Sequence, residues 1–193
     1  SCLVGSEMCI RDSYSTATGE TSLQDIEYFK ARAKGGIGLI ITGITNVDGK
    51  AGRACGNQLS AASDGSIRSL RELADAVHTY DTKIFGQIHH AGIQTSSRIT
   101  GYQPEGPSAI ASDVVGEKAR ELSIEDIKIL EKQFVGSAVR LKNAEFDGVE
   151  IHAAHGYLIS SFLSPYTNKR EDEYGGSLEN RMRILLNIIY GIK

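Results

Sequence analysis

The sequence predicts an α/β protein built on a parallel sheet, and three observations carry that expectation. Short apolar runs rich in β-branched residues alternate with helical stripes, and glycines flank the runs. Long polar, Gly-rich segments (Gly43–Gly65, Ala91–Ser123 and Ala153–Gly176) follow each run, whereas the returns from helix to run are short. Strands alternating with helices of this length imply βαβ units. A barrel and an open doubly wound sheet both satisfy the pattern, with function expected at the C-terminal ends of the strands.

The elements follow in order. Ser22 with Asp25 matches a capping box, and Ile26, Phe29 and Ala33 continue at helical spacing until Gly35-Gly36 stops the helix. Ile37–Thr42 is too short for a helix and reads as a buried parallel strand. A second helical stripe is Ile67, Leu70, Ala74 and Val77, and a second strand is Lys83–His89. A third stripe is Ile127, Leu130, Phe134, Ala138 and Leu141, and a third strand is Gly148–His152. Leu178, Met182, Leu185 and Ile189 open one more helix. The three strands are expected side by side and parallel in chain order, because right-handed crossovers place each new strand beside the last.

The ends differ from the middle. Ser1–Ser13 has no period and lacks the layout of a signal peptide, so it reads as an extraneous leader, similar to translated adapter read-through. Lys193 falls inside a helical pattern with no stop signal after it, so both ends are expected to be truncated.

Composition narrows the function. The chain has 193 residues, and 21 Lys plus Arg against 24 Asp plus Glu give a net charge of −3, with the basic residues interleaved with acids. That pattern argues against nucleic acid as a partner. No apolar run approaches the roughly 20 residues that span a bilayer. Cys2, Cys9 and Cys55 fit no paired-thiol or zinc spacing, so a reducing, cytoplasmic setting is expected. No G-x-G-x-x-G follows a strand, and Gly43 to Gly49-Lys50 has the wrong spacing for a phosphate loop, which removes the main support for a nucleotide-type open sheet.

Polar residues gather where the strands end. Gln87 and His89 share one strand face, as do Glu150 and His152. Mutual satisfaction as a polar layer is one reading; a ligand pocket is the other. Four of the five histidines, His89, His90, His152 and His155, lie at two strand ends. They suit either a metal-dependent hydrolase on a barrel, although carboxylate ligands at companion spacing are missing, or hydrogen bonding to a substrate oxygen with Tyr157 as proton donor.

The stretch GVEIHAAHGYL (Gly148–Leu158), continuing through Phe162–Pro165, Asn168–Arg170 and Asp172–Arg181, resembles the signature of the old yellow enzyme family of flavin-dependent NAD(P)H oxidoreductases. Tyr28–Thr42, Phe85–Gly92 and Pro107–Ile110 match in the same order. The resemblance implies the N-terminal half of an FMN-binding (β/α)8 TIM barrel, roughly strands 2–4, with residues 14–193 as the barrel part. It implies reduction of activated alkenes (enones, enoates or dienoyl thioesters), with hydride passing from NADH or NADPH through FMN. His152 and His155 would hold the substrate carbonyl and Tyr157 would protonate the α-carbon. Gln87, Thr42 and Ile44 would lie against the flavin, Ile44 standing where the family usually has Ala or Gly.

The same resemblance places the family's first strand where the leader stands, and its phosphate-binding loops beyond Lys193. This chain alone is therefore expected to be inactive and prone to self-association. A longer relative would add a 4Fe-4S cluster and FAD, and the full-length protein would be a homo-oligomer. Arg170–Arg181 reads as mainly structural, with Ser177 capping a helix and Asp172, Glu173, Asn180 and Arg181 pinning a loop. Arg53 and Arg98 are weaker candidates for ligand contact.

Overall fold

A computed structural model describes residues 14–193; the proposed leader lies outside the described residues. The chain divides into two compact units, each assembled from separate stretches. The first comprises the residues through Val47, Cys55–Ile88 and Gly136–Ile151; the second comprises Asp48–Ala54, His89–Val135 and His152–Lys193.

The first unit carries the sheet. Strands β1 (Leu39–Asn46), β2 (Lys83–His89, its last residue belonging to the second unit) and β5 (Gly148–Ile151) lie in the order β1-β2-β5. The β2–β5 pair is parallel, with Gln87 directly opposite Glu150. Lys83 donates its N–H to Gly38 O and Gln87 to Thr42 Oγ1, two links with the same sequence offset, so β1 and β2 also run the same way. The expected order of strands therefore holds. Among the described residues the sheet is three-stranded and no closed barrel is present.

Local chemistry explains each element. Helix α1 (Leu23–Lys34) begins with the reciprocal capping box, Ser22 Oγ accepting from Asp25 N–H at 3.2 Å and Asp25 Oδ2 accepting from Ser22 N–H at 2.9 Å. It ends where Gly36 turns left-handed at φ 87°. Helix α2 (Ile67–His78) buries Leu70, Leu73, Ala74 and Val77, and each large side chain so buried contributes about 1.5–3 kcal/mol. Asp147, just before β5, accepts from Ile84 N–H, His78 Nε2 and Lys83 Nζ at 2.8–2.9 Å. Burial raises its pKa, but those donors outweigh burial and hold the carboxyl at about 2.

The bounds of two strands need correction. The sequence predicts the first strand at Ile37–Thr42, with a loop from Gly43; the strand instead spans Leu39–Asn46. Asn46 N–H donates to Leu59 O and its carbonyl accepts from Ala61 N–H, so a returning segment supplies the pairing that keeps Gly43 and Ile44 in strand conformation. Burial along β1 also shifts phase at this point, Thr42 and Thr45 being buried and Gly43 and Ile44 half-exposed. The third strand ends at Ile151, one residue short of His152.

The second unit holds the long polar segment after β2, which the sequence left unassigned. It contains a short helix α3 (Ser97–Thr100) and a small parallel pair, β3 (Glu105–Gly106) with β4 (Arg120–Glu121). Helix α4 (Ile124–Asn143) starts in this unit and ends in the first. Its expected stripe of Ile127, Leu130, Phe134, Ala138 and Leu141 is buried throughout. Helices α5 (Leu158–Leu163) and α6 (Leu178–Ile192) complete the unit, and Ser177 caps α6 by accepting from Asn180 N–H.

Helix α6 forms where the sequence opens it, and its buried face is fixed by packing. Ile184 and Ile188 are buried rather than Leu178, Met182, Leu185 and Ile189, and Leu178 is exposed. Apolar residues surround this helix, so its period leaves the face undetermined. Gly191, which has Val135 so close that an added Cβ would lie 2.6 Å from Cγ2, helps set the orientation.

Candidate active site

In the second unit, β2 delivers His89, and the turn after β5 delivers His152, His155 and Tyr157. The rings meet edge to face. The Tyr157 centroid lies 4.3 Å from that of His89 and 4.9 Å from that of His152, with interplanar angles of 88° and 86°. His152 lies 5.5 Å from His89 and 5.1 Å from His155, again centroid to centroid. The three expected catalytic residues are thus brought together, with His89 as a fourth member.

Backbone geometry presents this cluster. His155 has φ 58° and Gly156 has φ 75°, two successive left-handed residues that reverse the chain. A non-glycine residue is uncommon there, and His, Asn and Asp are the types enriched in that region. The turn is anchored by Leu158 N–H donating to His90 O. Gly92 also has φ 61°, and an added Cβ would lie 2.7 Å from the Leu158 backbone, so glycine is required for this close approach.

Hydrogen bonds fix the tautomers. Ala154 N–H donates to His152 Nδ1 at 3.3 Å, so a neutral His152 carries its proton on Nε2. That proton is directed at His155 Nδ1, 3.3 Å away, and His155 therefore carries its own on Nε2. His155 is exposed, so this N–H is open to a hydrogen-bond acceptor. His89 is fully buried; burial first, then the neighbouring His152 and His90, hold its pKa well below 6.5 and keep it neutral. Among the described residues no group of three or more His, Cys, Asp or Glu is arranged to hold a metal ion, so the hydrolase alternative has no ligand set there.

Asp48 lies beside His90, the residue after His89, and was not singled out in the sequence, where its Asp-Gly pair was the only signal. Its Oδ2 accepts from Lys50 and Ala51 N–H, and its Oδ1 from Gln133 Nε2 at 3.0 Å. His90, whose Nδ1 accepts from Gly92 N–H, places Nε2 3.8 Å from Asp48 Oδ2, too far for a hydrogen bond but close enough to act through charge. Burial raises the Asp48 pKa; His90 and the backbone donors outweigh it and hold the carboxyl at about 2. Because this folded-state value lies below the ordinary 3.8, the unfolded chain takes up the proton first as pH falls. The contribution, about 2 kcal/mol, is present above pH ~4 and is lost toward pH ~2. Urea unfolding midpoints measured from pH 6 to pH 2 should fall less steeply for Asp48→Asn than for the parent protein; equal slopes would remove Asp48 from this role.

In the first unit the expected cofactor-contact residues are Thr42, Ile44 and Gln87. Thr42 is buried and its hydroxyl accepts from Gln87 N–H at 3.2 Å. Ile44 is half-exposed beside Gly43, where an added Cβ would meet nothing within 4 Å. Gln87 Nε2 donates to Glu150 Oε1 at 2.5 Å, leaving the amide oxygen as the acceptor. The open space lies along β1 beside Gly43, and the Gln87 carbonyl is an acceptor on the neighbouring strand.

The loop at Arg170–Arg181 is structural, as expected. The Arg170 guanidinium is nearly fully buried and donates to Pro107 O, Leu122 O and, through Nε and Nη2, to Asp172. Asn168 Nδ2 donates to Phe162 O and Tyr174 O. Arg181 donates to Leu163 O and Gly176 O. Arg98 lies exposed on α3.

The sequence profile of the NADH:flavin oxidoreductase / NADH oxidase family matches residues 3–193, and the chain belongs to that family. It is 50% identical over 176 residues to an NADH oxidase of Thermoanaerobacter brockii, covering 91% of this chain and 27% of that protein. It is 41% identical over 191 residues to an NADPH dehydrogenase of Bacillus licheniformis, covering 99% of this chain and 55% of the relative. Among solved structures, the old yellow enzyme homologue from Zymomonas mobilis superposes with a TM-score of 0.84 at 33% identity, over 93% of this chain and 52% of that one. The chain thus spans about a quarter to a half of the length of these relatives. No described helix is long and apolar enough to cross a membrane.

Proposed function

We propose that the protein is an FMN-dependent NAD(P)H oxidoreductase that reduces activated alkenes such as enones, enoates or dienoyl thioesters. The observation that carries this reading is the contact of Tyr157 with His152 and His89, beside a His152–His155 pair whose outward proton is on His155. When bound, FMN supplies hydride exchange between nicotinamide and the alkene β-carbon. The chain's own part is to bind, orient and move a proton. His155 Nε2–H donates to the substrate carbonyl oxygen, and His152 joins it by giving up its bond to His155. Polarising that oxygen draws charge from the alkene. Tyr157 Oη delivers a proton to the α-carbon. Thr42, Ile44 and Gln87 would border the flavin ring.

The test is anaerobic. The FMN-loaded full-length protein is reduced with NADH or NADPH and then mixed with 2-cyclohexenone. Bleaching of the flavin band by the nicotinamide and its return on adding the enone are expected. A flavin that bleaches but does not return with enone would overturn the alkene assignment, and one that never bleaches would overturn the nicotinamide reaction.

A further inference from the structure

Glu150 and Gln87 face each other across the β2–β5 pair, directly in register, with both side chains half-exposed. The contact is short, 2.5 Å from Gln87 Nε2 to Glu150 Oε1. A carboxylate only accepts, so the nitrogen end of the amide must face Glu150. The rest of Gln87 is also held, since its backbone N–H donates to Thr42 Oγ1, itself 3.3 Å from Thr45 Oγ1. An amide left to itself could present either its oxygen or its nitrogen to a ligand, and the two choices read opposite hydrogen-bonding patterns. A half-exposed polar pair contributes little to stability, which leaves orientation as its main effect.

We infer that Glu150 is a positioning residue: by holding Gln87 Nε2 it presents the Gln87 carbonyl oxygen as a fixed acceptor for a ring N–H of the flavin. This rests on the reading of Gln87 as a flavin contact. Glu150 touches neither cofactor nor substrate in this role; it acts through Gln87. The ligand chemistry selected is an edge that offers an N–H donor, as the oxidised isoalloxazine does at its pyrimidine side.

FMN titration of the full-length apo-protein, followed by quenching of flavin fluorescence, tests the assignment through a mutant cycle. Glu150→Met should raise the FMN Kd about five- to tenfold and shift the visible band of bound FMN, and Glu150→Gln, which keeps an acceptor, should recover part of both. In a Gln87→Ala background Glu150→Met should change neither quantity further. If Glu150→Met has the same effect with and without Gln87, or no effect while Gln87→Ala weakens FMN, the positioning role is overturned and the flavin reading stands. If Gln87→Ala itself leaves FMN binding unchanged, the flavin contact at Gln87 fails first. Should Glu150→Met not fold, Glu150→Gln carries the same cycle with a smaller expected change of about two- to threefold, and additivity there overturns the inference equally.

Discussion

Replacing Tyr157 by Phe should slow the alkene-dependent half-reaction of the FMN-loaded full-length protein by about 10²–10⁴-fold, the usual contribution of a positioned general acid. Reduction by nicotinamide should be nearly unchanged, because the phenol is proposed to deliver a proton only to the alkene. The substitution removes one oxygen while keeping the ring, and the edge-to-face contacts with His89 and His152 depend on the ring. Loss of packing is therefore not a competing explanation. His152→Ala and His155→Ala should instead weaken substrate binding, since each alters the donor that meets the carbonyl. Stopped-flow measurement of the two half-reactions separates these outcomes. An unaltered alkene step in Tyr157→Phe would mean that the proton comes from another group.

The largest stability effect is expected at Arg170. Arg170→Met should lower the unfolding free energy by about 3–5 kcal/mol, the scale for breaking a buried charged network by removing one partner. The guanidinium, with a side chain only 4% exposed, satisfies the carbonyls of Pro107 and Leu122 and both carboxylate oxygens of Asp172. Methionine refills much of the volume and none of the hydrogen bonds, so two carbonyls lose a donor and the Asp172 carboxylate keeps Tyr174 N–H. The Asp172 pKa, held below 3.8 chiefly by Arg170, should rise with it. Urea unfolding reports the loss, with Glu171→Gln on the exposed neighbouring position as control. A change of less than 1 kcal/mol in Arg170→Met would show that this loop is not pinned by the arginine.

Much of this architecture was legible in the sequence because its causes are local. The capping box at Ser22 and Asp25, the apolar stripe of α2 and the stripe along α4 each follow from neighbours three or four residues apart. The alternation of side chains along a strand put Gln87 with His89, and Glu150 with His152. The family signature around Gly148–Arg181 pointed to the histidines and Tyr157.

What tertiary structure decided involved partners distant in sequence. Strand β1 continues through Gly43 because Leu59–Ala61 returns to pair with Asn46, a contact that no window around Gly43 contains. Helix α6, apolar on most sides, chose Ile184 and Ile188 for burial through the neighbours it met rather than through its own period. The polar pairs were visible as candidates, but only strand register joined Gln87 to Glu150 and settled which end of the amide is committed. Asp48 was an ordinary turn residue in the sequence; burial beside His90, Gln133 and two backbone donors made it a carboxyl held near pH 2. Local propensity and periodicity are carried by the chain itself, whereas register, choice of face and pKa depend on groups that only folding brings within reach.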